Sequence, residues 1–408
     1  MAVQVIEALR LINHKIIKTK YEVVPIEDSI DRIAAEDIFA THFMPRFNNS
    51  AMDGYAVKLE DSNKVVKVID KILAGSKKTT KIKNGQTIKI MTGARVPKSV
   101  DAIVPQELVE IIDDTSVKLP ETIQPFAHIR FVGEDIKNGQ ILIANGESIN
   151  FSKITLLTSQ GVTHIKVYKK PRVTVFASGE ELKLHYEQVK KYQIYNSNTP
   201  TLIARAKELG CDVTFVGIAS DSVKSLTELI SNSLDSDLIV TSGGVSVGEA
   251  DFTKEAFDKL NMETIFDGII IKPGKPTILG KIGKTTILNL PGNPLASSLI
   301  FEIFGKIIIQ KLSGSKDVYH NTIKTKNGIE LKNKKGRITI IPGYFDGEKF
   351  NASYKRSPGM VSILSNCNAL LALDENVELL KENQEVNILP INWKFFTNKE
   401  KDFLTYEQ

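Results

Sequence analysis

The chain has 408 residues, of which 42% are hydrophobic and 25% are charged. This composition excludes a disordered or low-complexity chain, and the length predicts about two to four domains. Lys and Arg total 53 against 48 for Asp and Glu, and the resulting net charge of +5 argues against nucleic-acid binding. Basic residues do crowd locally, as in Lys77, Lys78 and Lys81, but such runs are more typical of solvated surfaces than of a phosphate-binding strip.

The chain shows no pattern of an exported or membrane protein. Its two cysteines, Cys211 and Cys367, lie far apart and outside any CxxC pair, which disfavours a disulfide framework and a cysteine metal site. Glu7 and Arg10 stand where a secretory signal needs an apolar run, and no stretch approaches the roughly 18 apolar residues of a membrane span. We therefore expect a cytoplasmic protein with no membrane partner.

The first 170 residues predict a helical domain interrupted by a β-rich one. Apolar residues of the N-terminal segment fall on one helical face, and residues 28–38 predict a second helix. From residue 44 to 146, short apolar runs broken by Gly, Pro and Asn predict strands. Ser152 then begins another helix, which we expect to pack back on the first two. Residues 1–43 and 147–170 would thus form one discontinuous helical domain, suited to linking or dimerisation.

The rest of the chain predicts an α/β domain followed by a smaller β domain. Between residues 171 and 314 strands alternate with helices, and this alternation predicts a mostly parallel sheet with helices on both faces. Asn198 or Thr199 is expected to cap one helix, and Pro294 to occupy the first turn of a long apolar one. Residues 315–395 predict short strands, and residues 396–408 a tail. The fold class is therefore multidomain, α/β and β.

Four loops of the α/β domain could carry chemistry, because ligands bind outside the carboxyl ends of parallel strands. They are SGEEL at 178–182, ASD ending at 221, TSGGVSVGEAD at 241–251 and LPGNPLASS at 290–298. Paired glycines and a helix N-terminus suit phosphate, but Glu249 stands where a P-loop requires lysine. The positive charge must come from elsewhere, and Lys272 and Lys275 of the KPGKP turn offer it.

The carboxylates of these loops, Glu180, Glu181, Asp221 and Asp251, indicate a hard cation. Carboxylates and phosphates in one cavity repel unless a cation lies between them, and oxygen donors without His or Cys favour Mg²⁺ over zinc. A lone carboxylate of this kind more often caps a helix, but four such carboxylates in the strand-end loops of one domain favour a site. In the β-rich domain, Asp53-Gly54 predicts a tight turn, and neither it nor the 91–97 segment stands out on physical grounds alone.

Seven strings occur in the order and approximate spacing of one known family. They are SAMDGYAV at 50–57, MTGARVP at 91–97, VGEDIKNGQ at 132–140, SGEEL, TSGGVSVGEADF, KPGKP and LPGNPLASS. Together they resemble the molybdopterin molybdenumtransferase family, which corresponds in animals to the C-terminal domain of gephyrin. The resemblance covers nearly the whole chain. It implies a transferase that inserts molybdate into adenylylated molybdopterin and releases AMP, with Mg²⁺ as the required metal.

The resemblance also implies site residues and partners. The residues expected to act in catalysis are Asp53, Thr92, Glu181, Asp221 and Asp251, of which the last three would serve the metal. The residues expected to bind substrate are Ser178, Gly243, Gly244, Ser246, Lys272, Lys275, Pro291, Pro294, Arg356 and Ser362. The functional unit would be a homodimer in which Asp53 acts on the other subunit's site. The enzyme that adenylylates molybdopterin is a further candidate partner.

Two positions depart from the family pattern. Glu180 replaces a usual Asp or Asn, and Gly268 stands where many relatives have a basic residue, so one anion contact is missing or replaced, with Arg46 or Arg356 as substitutes. The alternative function is a non-catalytic pterin-binding or scaffold protein of the gephyrin type. Retention of the other acidic motif residues favours the enzyme, because a scaffold needs no anionic metal site.

Overall fold

The computed structural model describes residues 2–244 and 252–392, which divide into two compact units. Unit 1 takes the residues up to Ala35, Gly146–Asn150 and the chain from His164 onward, and unit 2 takes Glu36–Asn145 and Phe151–Thr163. The α-helices are α1 Val5–Lys15, α2 Phe151–Ser159, α3 Asn198–Glu208, α4 Val223–Ser231, α5 Phe252–Lys259, α6 Pro294–Ile300 and α7 Lys306–Leu312, and a π-helical turn, Phe301–Gly305, joins the last two. No described helix is long and apolar enough to cross a membrane.

The α/β part of unit 1 is built on a six-stranded sheet. Its strands, in spatial order, are Asp212–Ala219, Arg172–Ser178, Leu238–Ser242, Thr285–Leu290, Ile278–Ile282 and Glu263–Asp267. The first four are parallel, and the last two are antiparallel to their neighbours. Apolar residues of α1, α3, α6 and α7 pack on one face, and those of α4 and α5 on the other. The predicted sheet with helices on both faces is confirmed.

The C-terminal part of unit 1 is a second six-stranded sheet that closes on itself. Its strands, in spatial order, are Ile271–Lys272, Ile338–Phe345, Lys349–Ala352, Ile323–Asn327, Glu385–Pro390 and Ala369–Leu373. Because Ile338–Phe345 also pairs with Ala369–Leu373, the sheet is barrel-like around its own apolar core. The shorter strand pairs of unit 1 are Tyr21–Pro25 with His164–Tyr168, Leu182–Lys183 with Ile194–Tyr195, and Leu331–Lys332 with Leu379–Leu380.

Unit 2 is β-rich, as predicted. Its six-stranded sheet has the spatial order Ala102–Pro105, Gly54–Val57, Gln86–Ile90, Val65–Ile72, Ser116–Lys118 and Glu110–Asp113. Two short pairs accompany it, namely Asn49–Ser50 with Ile129–Arg130 and Ile38–Phe39 with Ile141–Ile143. Apolar clusters on both faces of the six-stranded sheet form its core.

The predicted helix over residues 28–38 is wrong. The chain forms a short 3₁₀ turn, Ile26–Ser29, and Asp31 then adopts a φ of 59°, which ends any helix. Asp31 N–H donates to Ile149 O, and Ala34 N–H donates to Glu147 O, so this backbone pairs with a distant part of unit 1. Tertiary pairing has overridden local helix propensity.

Candidate active site

A cavity of about 760 Å³ lies at the carboxyl ends of the parallel strands of unit 1. The register places Ala177 beside Ser242 and Ser242 beside Leu290, so the loops that follow these strands emerge together. The predicted residues that line the cavity are Ser178, Glu181, Asp221, Gly243, Gly244, Pro291 and Pro294. A volume of this size accommodates a small organic ligand.

The other predicted residues lie elsewhere. Lys272 and Lys275 are exposed and are not among the lining residues, although Pro276 of the same turn is. Arg356 and Ser362 flank two C-terminal residues that do line the cavity, Gly359 and Val361. Ser246 and Asp251 lie outside the described residues, and Asp53 and Thr92 belong to unit 2.

Glu181 and Asp221 are exposed side chains that share the cavity. Gly179 leaves room for the Glu181 carboxylate, because it adopts a φ of 145° and a Cβ there would lie 2.7 Å from Glu181 Oε2. Glu180 contributes through its backbone, since its N–H donates to Asp221 Oδ2 at 3.3 Å. The extra methylene of Glu180 relative to Asp therefore leaves this contact unchanged.

The glycine pair after strand Leu238–Ser242 is required by its surroundings. Gly243 and Gly244 have φ values of 106° and 68°. A Cβ on Gly243 would lie 2.5 Å from Ser178 O, and one on Gly244 would overlap Thr253 Oγ1. Ser178 Oγ and Thr253 Oγ1 are buried beside Gly244 and have no hydrogen-bond partner in the part of the chain that the structure describes. A ligand that formed hydrogen bonds with these hydroxyls would offset the free-energy cost of burying them without partners.

Asn198 holds this site together, and the sequence analysis missed its role. Its Nδ2 donates to Ser242 Oγ and to Gly292 O, both at 2.7 Å, and Ser242 Oγ donates to Pro291 O at 3.2 Å. One amide thus joins the first turn of α3, the glycine-pair strand and the Pro291 turn. The expected cap is instead supplied by Asn196, whose Oδ1 accepts from Thr199 N–H at 3.2 Å. No local pattern distinguishes these two asparagines.

The C-terminal part of unit 1 closes one side of the cavity. Pro294 occupies the first turn of α6, as predicted, and Leu295 N–H donates to Pro358 O at 2.9 Å. Because this contact uses a first-turn amide of α6, it holds the segment that carries Gly359 and Val361 against the helix N-terminus.

The backbone next to the KPGKP turn explains why Gly268 stands where many relatives have a basic residue. Gly268 N–H donates to Thr277 O, and Ile269 N–H donates to Lys275 O, both at 2.9 Å. Gly268 adopts a φ of 94°, and a Cβ there would lie 3.2 Å from the Cβ of Ala2, whose neighbour Val3 donates its N–H to Gly268 O at 3.0 Å. The Cβ of any side chain at this position would therefore be in tight contact with the N-terminal segment.

In unit 2, Asp53 and Thr92 form a pair. The N–H and Oγ1 of Thr92 both donate to Asp53 Oδ1 at 2.7 Å. These two hydrogen bonds hold the pKa of Asp53 below its ordinary value, and the bond from the backbone N–H has the larger effect. The predicted tight turn at Gly54 is wrong, because Gly54 begins strand Gly54–Val57, where a Cβ would overlap Val104 O. Close strand packing requires this glycine.

Comparison with known proteins identifies the family. The model of the MoeA N-terminal region (domain I and II) matches residues 3–161, that of a probable molybdopterin binding domain matches 174–311, and that of the MoeA C-terminal region (domain IV) matches 324–391. The molybdopterin molybdenumtransferase of Haemophilus influenzae is 32% identical over 386 residues, which cover 92% of this chain and 95% of that protein. The chain belongs to the molybdopterin molybdenumtransferase family. The Staphylococcus epidermidis member is 31% identical over 410 residues, which cover 95% of each chain.

Solved structures agree with this family. A molybdopterin biosynthesis MoeA protein from Pyrococcus horikoshii is 30% identical, with a TM-score of 0.82, and the match covers 96% of this chain and 100% of that chain. A second structure of a MoeA protein from Pyrococcus horikoshii OT3 is 25% identical, with a TM-score of 0.84 and the same coverage. The family and the multidomain fold class predicted from the motifs are confirmed.

Proposed function

We propose that this chain, a molybdopterin molybdenumtransferase, inserts molybdate into adenylylated molybdopterin and releases AMP with the help of Mg²⁺. The observation that carries the proposal is the meeting of Glu181, Asp221, the glycine pair and the Pro291 turn around one cavity. The arrangement suits a phosphorylated organic anion, because small residues allow close approach of the ligand and carboxylates provide a place for a cation.

The donor set fits Mg²⁺. Among residues 2–244 and 252–392, no group of three or more His, Cys, Asp or Glu side chains could hold a metal ion. Mg²⁺ needs no such group, since it binds through one or two carboxylates, waters and substrate phosphates. Glu181 and Asp221 would hold it, and the role of Asp251 remains a prediction. A bound Mg²⁺ would offset pyrophosphate charge and polarise the bond to AMP that breaks.

The chain's own groups would position the substrate. Asn198 orders the loops around the cavity, and Ser178 and Thr253 offer hydroxyls beside Gly244. We assign Lys272 and Lys275 to phosphate or molybdate binding because they are exposed cations of the turn that contributes Pro276 to the cavity.

We further propose that the working form is a homodimer in which Asp53 and Thr92 complete the site of the other subunit. Their support is local geometry, because the two bonds from Thr92 orient the Asp53 carboxylate and favour its ionised form by lowering its pKa. We also expect the adenylylated substrate to come from an enzyme that adenylylates molybdopterin, which is a candidate partner.

AMP release from adenylylated molybdopterin, with molybdate added or omitted, tests the reaction. We expect molybdate-dependent release that requires Mg²⁺ and is lost in Asp221→Asn. The matched control is Asp212→Asn, which changes an exposed carboxylate at the opposite end of the same strand and should leave activity unchanged. Tight substrate binding without AMP release would refute the enzyme and leave the scaffold alternative, which the transferase relatives do not favour.

Subunit mixing tests the shared site. Asp53→Ala and Asp221→Ala are each expected to be inactive. In a dimer with shared sites, a mixed pair has one intact site and one with both changes, so random exchange should restore about a quarter of the wild-type activity. No recovery, despite exchange shown by mass spectrometry, would contradict action between subunits.

A further inference from the structure

A second cavity, of about 480 Å³, lies in unit 2, and none of its lining residues belongs to the candidate site described above. It forms between the loops that follow strands Val65–Ile72 and Gln86–Ile90. These strands are parallel, and the register places Ile72 beside Ile90, so both loops begin at the same edge of the sheet. Ile82 of the first loop donates its N–H to Ser99 Oγ of the second at 3.0 Å.

The walls of this cavity are anchored. Ile82, Val96 and Val100 are buried in one apolar cluster with the sheet, so both loops are tied to the core of unit 2. The exposed ends of the loops therefore project from a fixed base, which lowers the entropy cost of ordering them around a ligand.

Four cations and no carboxylate line the cavity: Lys78, Lys81, Arg95 and Lys98. Lys78 pairs with Asp70 at 2.6 Å, and this contact, together with hydrogen bonds from Thr80 Oγ1 and Lys71 N–H, lowers the pKa of Asp70 to about 2. Lys81, Arg95 and Lys98 have no ion-pair partner among the described residues. Three uncompensated positive charges thus face one space.

Hydroxyl groups add neutral donors to this set. Thr79 and Ser99 also line the cavity. Because Ser99 Oγ accepts its bond from Ile82, its hydrogen is available to a ligand. Lysine ammonium groups, a planar guanidinium and hydroxyls are together the donors that bind phosphate-like oxygens.

We propose that this cavity binds a doubly charged tetrahedral oxyanion, either as a free ion such as phosphate or molybdate or as the phosphate group of a nucleotide. A dianion would relieve the repulsion among Lys81, Arg95 and Lys98 while accepting hydrogen bonds from them. The sequence interpretation of the Lys77–Lys81 run as a solvated surface changes, because the fold adds Arg95 and Lys98 from a second loop. The proposal is independent of the transferase reaction.

Equilibrium dialysis of the full chain at low ionic strength tests it, with inorganic phosphate, molybdate and AMP as separate probes. Arg95→Gln and Lys98→Gln should each weaken binding at this site by about tenfold, because each removes a charged donor. Lys137→Gln is the matched control, since Lys137 is an exposed lysine of unit 2 outside the cavity lining. Added salt should weaken binding to the wild type.

The outcomes separate the sources of the ligand. Weaker binding of phosphate and molybdate in Arg95→Gln and Lys98→Gln, but not in Lys137→Gln, supports a free-ion site. An effect confined to AMP supports a nucleotide phosphate at the same place. Equal binding by the wild type and both cavity variants, or failure of all three probes to bind, would overturn the proposal. Urea unfolding midpoints check that all variants are folded.

Discussion

Replacing Asn198 by Ala should weaken substrate binding, because Asn198 orders the loops that surround the cavity. The change removes the two 2.7 Å hydrogen bonds that Nδ2 donates to Ser242 Oγ and Gly292 O. A neutral hydrogen bond contributes about 1 kcal/mol net, so the loops around the cavity lose about 2 kcal/mol of ordering. If the substrate must restore that order on binding, KM should rise about 30-fold with a smaller change in kcat.

Two further variants separate positioning from packing. Asn198→Asp keeps the size of the side chain but cannot donate to Gly292 O, so it should be at least as impaired. Asn368→Ala is the matched control, because Asn368 also makes two short hydrogen bonds and does not line the cavity. Its Nδ2 donates to Phe345 O at 2.8 Å, and its Oδ1 accepts from Phe345 N–H at 2.7 Å.

The assays are steady-state AMP release at varied substrate concentration and urea unfolding followed by circular dichroism. Asn198→Ala and Asn368→Ala should lose similar stability, but only Asn198→Ala should raise KM. An unchanged KM in Asn198→Ala would refute the positioning role and would show that the Asn198 amide only stabilises the fold. A similar rise in both variants would show that KM follows general stability instead.

Three other predictions concern the carboxylates and one glycine. Asp221→Ala should abolish metal-dependent turnover with little change in the unfolding midpoint, since Asp221 is exposed, and unchanged AMP release would contradict the metal assignment. Thr92→Val should raise the pKa of Asp53 part of the way to its ordinary value, because the hydrogen bond from the Thr92 backbone, which has the larger effect, remains. The stability that the Asp53 carboxylate contributes is present above its unfolded-state pKa and is lost as the pH falls through its folded-state pKa. An unchanged Asp53 pKa in a carboxyl NMR titration of the variant would contradict this prediction. Gly54→Ala should destabilise unit 2 by about 2 to 3 kcal/mol because its Cβ would overlap Val104 O, and an unaltered urea midpoint would contradict that estimate.

For the α/β domain, local patterns predicted the helices, the strands and the edge of the sheet where the cavity lies. Strand ends such as Ser178 and Ser242 could be placed because parallel strands share a carboxyl edge, whatever their order in the sheet. The motifs also predicted that Glu181 and Asp221 would act together. The position of the Glu181 carboxylate depends on Gly179, whose φ of 145° and missing Cβ let that carboxylate turn back beside it.

What could not be predicted depends on contacts between distant residues. Asn196 and Asn198 are identical in type and almost adjacent, yet one caps α3 and the other joins three loops, because only Asn198 faces Ser242 and Gly292. Likewise, residues 28–38 have a helical pattern but form no helix, because their backbone pairs with residues 147–149. A window of local sequence contains neither partner.

Gly268 shows how such a contact changes the interpretation of a motif. Seen as a local substitution, it removes a basic residue from an anion site and points to weakened activity. In the structure it adopts a φ of 94° and accepts a bond from Val3, and the Cβ of Ala2 lies where its own would approach. A basic residue there would adopt a strained backbone conformation, and its Cβ would press on Ala2 of the N-terminal segment, next to the turn that carries Lys272 and Lys275. The glycine is therefore better explained as an adaptation of the backbone to its N-terminal neighbour than as the loss of a ligand contact.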